Sequence, residues 1–480
     1  MKSLTLKEYD KIKRGDDEAS NCFYKKEENN VYSLNPVYFD ELKNYLLKKE
    51  KEETDKEEFR GGIVSFLKLS NHKRHGEILQ IQHYVGIIEL KNCFQIEVLP
   101  KIDIESNNIN ENEALERILL RMLGYLKDFP ATPSNTANLN TSKTSLFEVF
   151  IQLYFSKVEE LIKRGLKHRY VSIEENISSF KGSLNVMKQI RFNSVDKHKF
   201  YIQHDEYLID IPENRLIKSA LLLLSDKTTN IKNGKKARQL LEIFEMVPKL
   251  ANYLSDYSKI VYDRLNSSYH DVIEWSIAFL LEKSFIIQKG ETAAYSLLFP
   301  MEKIFESFVG KMLKKCLSND SEFSDWNIKT QSTKKYLFDN PKKFQIRPDI
   351  RIFKIANKVE KNIILDTKWK RLDPSNEKRN FGISMADMYQ MYAYAKRYKA
   401  NDVWLIYPYS YEPEHQSLDG KEYKTIHDYP DQNKSIEIDT NVTIHLYFLD
   451  LSALSFKKQR DGLDNIKKQL NELLKKCLNE

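Results

Sequence analysis

Asp349, Asp366 and Lys368 have the types and spacing of a centre that cuts phosphodiester bonds. Asp349 stands in FQIRPDIRIF, and seventeen residues on Asp366 opens the Asp-Thr-Lys of NIILDTKWK. Side chains two apart on a strand share a face, so Asp366 and Lys368 point the same way and Thr367 points away. Two such strands paired as a hairpin bring Asp349 beside Asp366. Phosphodiester hydrolysis needs a nucleophilic water, relief of charge on the phosphate and help for the leaving oxygen. A divalent metal held by carboxylates with positions left open supplies all three. Mg2+ (or Mn2+) suits a site of one or two carboxylates plus phosphate. A neighbouring lysine can orient or deprotonate the attacking water. The backbone carbonyl of Thr367 is a further candidate ligand. The plainer alternative makes Asp349 a turn residue after Pro348, and Asp366 with Lys368 a surface ion pair.

The elements that must position these residues are legible as periodic segments. Arg347 to Ile355 and Asn362 to Asp366 are short β-rich runs, the second apolar right up to its aspartate. A helix over Met301 to Leu317, bearing Glu302 and Glu306, precedes them, and a helix over Ser384 to Tyr398, bearing Gln390 and Tyr394, follows. Strands are expected at Asp402 to Tyr407 and Val442 to Leu449, and a closing amphipathic helix at Asp461 to Glu480. The order helix, strand, strand with D, strand with DxK, helix is that of a nuclease core.

Upstream, Gly62 to Leu69, Ile78 to Leu90 and Phe94 to Ile102 alternate in the period of strands, followed by a helix over Asn112 to Leu126. Asp128 to Ser145 is rich in Pro, Ser, Thr and Asn and reads as a linker. Residues 146–290 read as mostly helical, interrupted near Tyr170 to Phe192. The basic run Lys232 to Arg238 is expected as a loop between two helices. The expected fold class is therefore α+β and multidomain. It comprises a β-rich mixed domain over 1–130, a helical connecting region over 131–290, and an α/β core over 291–480, which the resemblance described below implies is a PD-(D/E)xK nuclease core.

Composition sets the outer bounds. The chain has 480 residues, too many for one ordinary domain. Its formal net charge of +7 tolerates a nucleic-acid partner without demanding one. The four cysteines are scattered, with no CxxC pair, which argues against structural zinc and a disulfide framework. The N-terminus lacks the apolar core of a signal peptide, and no stretch is long enough to span a bilayer, so a cytoplasmic protein with no membrane partner is expected. There is no GxxxxGK[ST] loop, so the chain is not expected to hydrolyse nucleotide by itself.

Several fragments, in order, resemble the McrC family of McrBC-type restriction systems: VGIIELKNCFQIEVLPKI at 85–102, SSFKGSLNVMKQIRF at 178–192, DIPENRLIKSALLLL at 210–224, FPMEKIFESFVGKML at 299–313, FQIRPDI at 344–350, IILDTKWK at 363–370 and MADMYQMYAYA at 385–395. The resemblance covers most of the chain. It implies a PD-(D/E)xK endonuclease in which Asp349 and Asp366 bind metal and Lys368 is catalytic. It also implies that Glu306 faces the metal, with Glu302 as its rival. Gln390 with Tyr394 resembles a QxxxY motif whose glutamine helps position metal or DNA. The implied partners are an McrB-like AAA+ GTPase, engaged through the N-terminal region, and double-stranded DNA, possibly methylated at cytosine. Asp366 stands where glutamate is frequent, which makes the Thr367 carbonyl contact more plausible. A non-cleaving adaptor of an AAA+ NTPase and a stand-alone DNA repair nuclease are the alternatives.

Overall fold

A computed structural model describes residues 3–15, 24–26, 30–54, 66–72, 76–90, 94–102, 104, 110–126, 129, 145–249, 253–260, 267–280, 295–319, 321–332, 335–356, 359–372, 377–409 and 442–479. Backbone packing divides the chain into two compact units, Met1–Leu146 with Ser284–Glu480, and Phe147–Lys283. The described residues form a mixed α/β protein with several sheets and eleven α-helices.

The first unit holds three sheets and a separate hairpin. One sheet has the order β1 (Ser3–Lys7), β8 (Phe94–Leu99), β7 (Tyr84–Leu90), β12 (Tyr295–Pro300), with β1 parallel to β8 and the other pairs antiparallel. Every residue of β7 and β8 is buried, which is why both read as near-continuous apolar runs. Gly86 permits the β7–β12 pairing. Its φ is +131°, and a Cβ there would meet the Leu297 carbonyl oxygen at 2.0 Å. A second sheet has the order β3 (Tyr24–Lys26), β4 (Val31–Leu34), β2 (Lys11–Arg14), β6 (Gly76–Ile81), β5 (Leu67–His72). Leu42 and Leu46 of α1 (Pro36–Thr54) share one apolar core with Ile12, Leu34, Leu79, Ile88 and Ile96 of these sheets.

The third sheet positions the candidate residues. Its order is β13 (Asn327–Thr330), β16 (Ile350–Ala356), β17 (Val359–Thr367), β18 (Ala400–Pro408), β19 (Thr443–Leu449). β13, β16 and β17 run antiparallel, and β17, β18 and β19 run parallel. Ile363, Ile364 and Leu365 of β17 are fully buried. Helices cover the sheet: α9 (Met301–Asn319) lies against β13 and β17, α10 (Met385–Tyr398) against β17 and β18, and α11 (Gln459–Asn479) against α9 and β19. Met391, Tyr394, Ala395 and Tyr398 form the buried stripe of α10 at helical spacing. The Ser384 hydroxyl caps that helix by accepting from the Asp387 amide at 3.1 Å. The hairpin of β14 (Lys335–Asp339) and β15 (Lys342–Ile346) packs on α10 outside the sheet. α2 (Glu111–Leu123) is tied to the chain's end, where its Arg121 donates to the Leu454 carbonyl at 2.5 Å.

The second unit combines α3 (Leu146–Lys163), α4 (Val186–Phe192), α5 (Pro212–Lys227), α6 (Ile231–Ile243), α7 (Tyr253–Tyr257) and α8 (Ser267–Leu280) with a sheet of order β10 (Ser183–Leu184), β11 (Phe200–Leu208), β9 (Arg169–Ile177). Two expectations are corrected here. The interruption of the helical region extends to Leu208, because β9 and β11 are nine-residue strands paired along their whole length. The run Lys232 to Arg238 is helix, not loop. It lies in the first turns of α6, whose N-terminal amides at Lys232 and Asn233 donate to the Asn230 side chain. Most of the expected linker at 128–145 lies outside the described residues.

Candidate active site

The described ends of β16 and β17 bring the two aspartates together. Asp349 immediately precedes β16, whose first residue Ile350 pairs with Leu365 of β17, the neighbour of Asp366. An Asp349 carboxylate oxygen accepts from the Thr367 amide at 2.8 Å and from the Thr367 hydroxyl at 2.7 Å. The Thr367 side chain is thus turned to Asp349, at the point where β17 ends. Asp366 is buried, with the Lys368 ammonium 2.6 Å from one carboxylate oxygen. That ammonium donates to the Gln390 side-chain carbonyl at 2.9 Å, and the Gln390 amide donates to the Tyr394 hydroxyl at 2.8 Å. Tyr394 in turn donates to the Arg347 carbonyl at 3.0 Å, two residues before Asp349. The chain Lys368–Gln390–Tyr394–Arg347 therefore closes on the segment that carries the first aspartate.

Glu306 joins the same cluster from α9. Its carboxylate accepts from the Gln331 side chain, and the Gln331 amide donates to the Asp349 carbonyl at 2.8 Å. Glu306 is half-buried, whereas Glu302 one turn earlier is exposed. Burial, reinforced by the charges of Asp349 and Asp366, pushes the Glu306 carboxyl well above the usual range. Burial and the Asp349 charge do the same to Asp366, and burial raises Asp349. Burial works to lower the Lys368 pKa, but the carboxylates of Asp366, Asp349 and Asp387 overcome it and hold the ammonium charged.

Asp366 is buried and Asp349 and Glu306 are half-buried, and the charge of Asp349 raises the proton affinity of the other two, so the three form an all-oxygen donor set short of positive charge. Such a set fits a hard divalent cation. Among the described residues no group of three or more His, Cys, Asp or Glu side chains is placed to hold a metal ion as it stands. Asp349 is turned to Thr367 and Asp366 to Lys368, so holding a cation requires rotation of these side chains. Rotation within a strand-end site leaves the backbone frame unchanged.

Sequence reasoning missed three neighbours. Asp387, one helical turn before Gln390, lies 2.7 Å from the Lys370 ammonium and 4.0 Å from that of Lys368. Its spacing from Gln390 and its place three residues after Ser384 were the available signals. Gln331 carried no signal. Trp369 is held by the fully buried Glu8, which accepts its indole N–H at 3.0 Å, and by Phe305, whose ring lies 5.4 Å away in edge contact. Glu8 and Trp369 are 361 positions apart, and no local pattern links them.

A mixed sheet covered by helices carries paired acids and a lysine at its strand ends. A family model described as McrBC 5-methylcytosine restriction system component matches residues 79–408, and the chain belongs to that family. The resemblance read from the sequence is borne out. Among solved structures the chain is similar to one of the Thermococcus gammatolerans assembly of McrB AAA+ hexamers with bound McrC. The match is 18% identical, covers 98% of this chain and 100% of that chain, and has a TM-score of 0.63. At that identity the likeness shows the fold alone. A chain of the Thermococcus gammatolerans McrBC complex matches at 18% identity over 66% of this chain and 88% of that chain, with a TM-score of 0.47. Restriction endonuclease FokI matches at 11% identity over 76% of this chain and 66% of its own, with a TM-score of 0.19, too slight to carry an argument. No curated protein matches. No helix among the described residues is long and apolar enough to cross a membrane.

Proposed function

We propose that this chain is the DNA-cutting subunit of a modification-dependent restriction complex. The observation that carries the reading is the convergence of Asp349, Asp366 and Glu306 with a charged Lys368 at one strand end. Asp349, Asp366, Glu306 and the Thr367 carbonyl would hold Mg2+ or Mn2+, which supplies Lewis acidity and an activated water. The protein's own part is positional. Lys368, fixed between Asp366 and Gln390, places a cation beside the attacked phosphate and steadies the charge that develops there. Tyr394 and Gln390 keep its ammonium in place. Residues 291–480 are assigned as the nuclease domain, 1–130 as the β-rich domain and 131–290 as the connecting region.

The partner reading rests on the family and on the solved assembly in which McrB AAA+ hexamers carry bound McrC. Exposed apolar side chains concentrate between residues 170 and 207, including Phe180, Met187, Ile190 and Phe192. An apolar surface of this kind suits a protein partner. We assign the AAA+ contact to it in addition to the N-terminal region.

The test is cleavage of methylated and unmethylated plasmid in Mg2+ or in chelator, with and without the AAA+ partner and GTP. Cutting that needs Mg2+, the partner and methylation supports the reading. Stimulated GTP hydrolysis with no cutting under any condition replaces it with the adaptor reading.

A further inference from the structure

The β14–β15 hairpin packs on α10 through its base, where Ile346 is buried, and leaves its outer end exposed. Phe338 is 56% exposed and Phe344 69% exposed, and neither is covered by another element among the described residues. In a regular ladder residues at these positions face opposite sides. Phe344 instead has a φ of +58°, a conformation that costs a non-glycine residue of order 1 kcal/mol. That backbone lets its ring meet the Phe338 ring in edge contact at 5.9 Å. Local strain is thus spent on pairing two aromatic rings in solvent.

The surroundings are cationic. Residues 335–347, KYLFDNPKKFQIR, carry four basic side chains and one acid. That acid, Asp339, is occupied by Arg397 of α10 at 2.6 Å. Lys335 donates to the Arg397 carbonyl at 2.7 Å, which anchors the hairpin to the helix that presents Gln390. Lys342 and Lys343 at the turn are exposed. From Lys343 to Asp349 is six residues, at most about 20 Å of chain, or roughly six phosphate steps along one strand of DNA.

We propose that this hairpin is a duplex-DNA contact of the candidate active site, with Lys342 and Lys343 on phosphates flanking the cut and the Phe338–Phe344 pair against the groove. The inference rests on the nuclease reading of Asp349, Asp366 and Lys368. A run of lysines around exposed aromatic rings is complementary to a polyanion with stacked apolar bases, and not to a second apolar protein face.

Binding of fluorescent duplex by the full-length chain in chelator, over a series of salt concentrations, separates this surface from the chemistry. Lys342→Ala with Lys343→Ala is expected to weaken binding about tenfold and to flatten the log–log salt slope by about 2. Phe338→Ala is expected to weaken binding about fivefold with the salt slope unchanged. Unchanged melting temperatures show that the variants fold. Wild-type affinity and slope in the lysine variant would overturn the hairpin proposal, as would absence of duplex binding by wild type. Failure of the nuclease reading shows elsewhere, as retained cutting by Asp366→Asn.

Discussion

β17 and β11 are both nine residues long, yet they meet water in opposite ways. In β17 every residue from Asn362 to Thr367 is buried, because β16 and β18 flank it and helices cover the sheet. In β11 only Ile202 is buried and the remaining side chains are half or fully exposed. Charge on the buried strand is tolerated only where the strand ends, at Asp366 and Lys368. There, each group is desolvated and fixed by partners. The exposed strand buries almost nothing on either face. The difference teaches that one unit desolvates and fixes its charged groups by burial, while the other displays surface.

The largest effect that would break this contrast is at Lys368. Lys368→Ala should lower cleavage by the complete complex by about 10²- to 10⁴-fold, with little change in melting temperature, read by plasmid nicking and calorimetry. Next comes the second unit's own stability, which cannot come from its exposed sheet. Beside the apolar core of its helices, part of it should reside in Glu148, whose buried carboxylate accepts from the Thr229 amide at 2.6 Å, the Asn230 amide at 3.1 Å and the Asn233 side chain at 2.7 Å. Glu148→Ala is expected to cost about 3 kcal/mol in denaturant unfolding. A loss below about 0.5 kcal/mol would mean that the network is incidental.

A smaller thermodynamic effect sharpens the surface half of the comparison. Met187 and Ile190 are 80% and 68% exposed. Met187→Ser with Ile190→Ser should change stability by no more than about 0.5 kcal/mol, while reducing stimulation of the partner's GTP hydrolysis. Normal stimulation would remove that face from the partner contact. A pH dependence sharpens the buried half of the comparison at Glu8. Burial raises its carboxyl from 4.5 to about 8, against the opposing Lys101 amide, Trp369 and Arg371. Folding therefore favours the protonated form. The contribution is fully present below about 4.5 and is lost as pH rises through about 8. Glu8→Gln should flatten the fall of stability between pH 5 and 9. An unaltered slope would show that Glu8 does not titrate in that window.

What the sequence disclosed follows the same division. The DxK at the end of an apolar run, the helix with Gln390 and Tyr394, and the order of strands around them are local patterns, and local patterns survive in a single sequence. Asp387 was half visible, as a helix-start residue whose contact with Lys370 depends on tertiary approach. Glu8 at Trp369, and β12 beside β7, depend on pairings across hundreds of residues that no periodicity records. The run at 232–238 looked like a loop because its lysines and glycine are solvated. Asn230 caps it as helix all the same. β9 and β11 were obscured because strands that bury little apolar surface lack the alternation by which strands are read.

The most direct test of the central claim is to place Asp366→Asn in the complete complex and follow plasmid cleavage and GTP hydrolysis together in Mg2+. Loss of cutting by at least about a hundredfold, with stimulated GTP hydrolysis retained, is the predicted result. Cutting at the wild-type rate would contradict the assignment of Asp349, Asp366 and Lys368 as the active site.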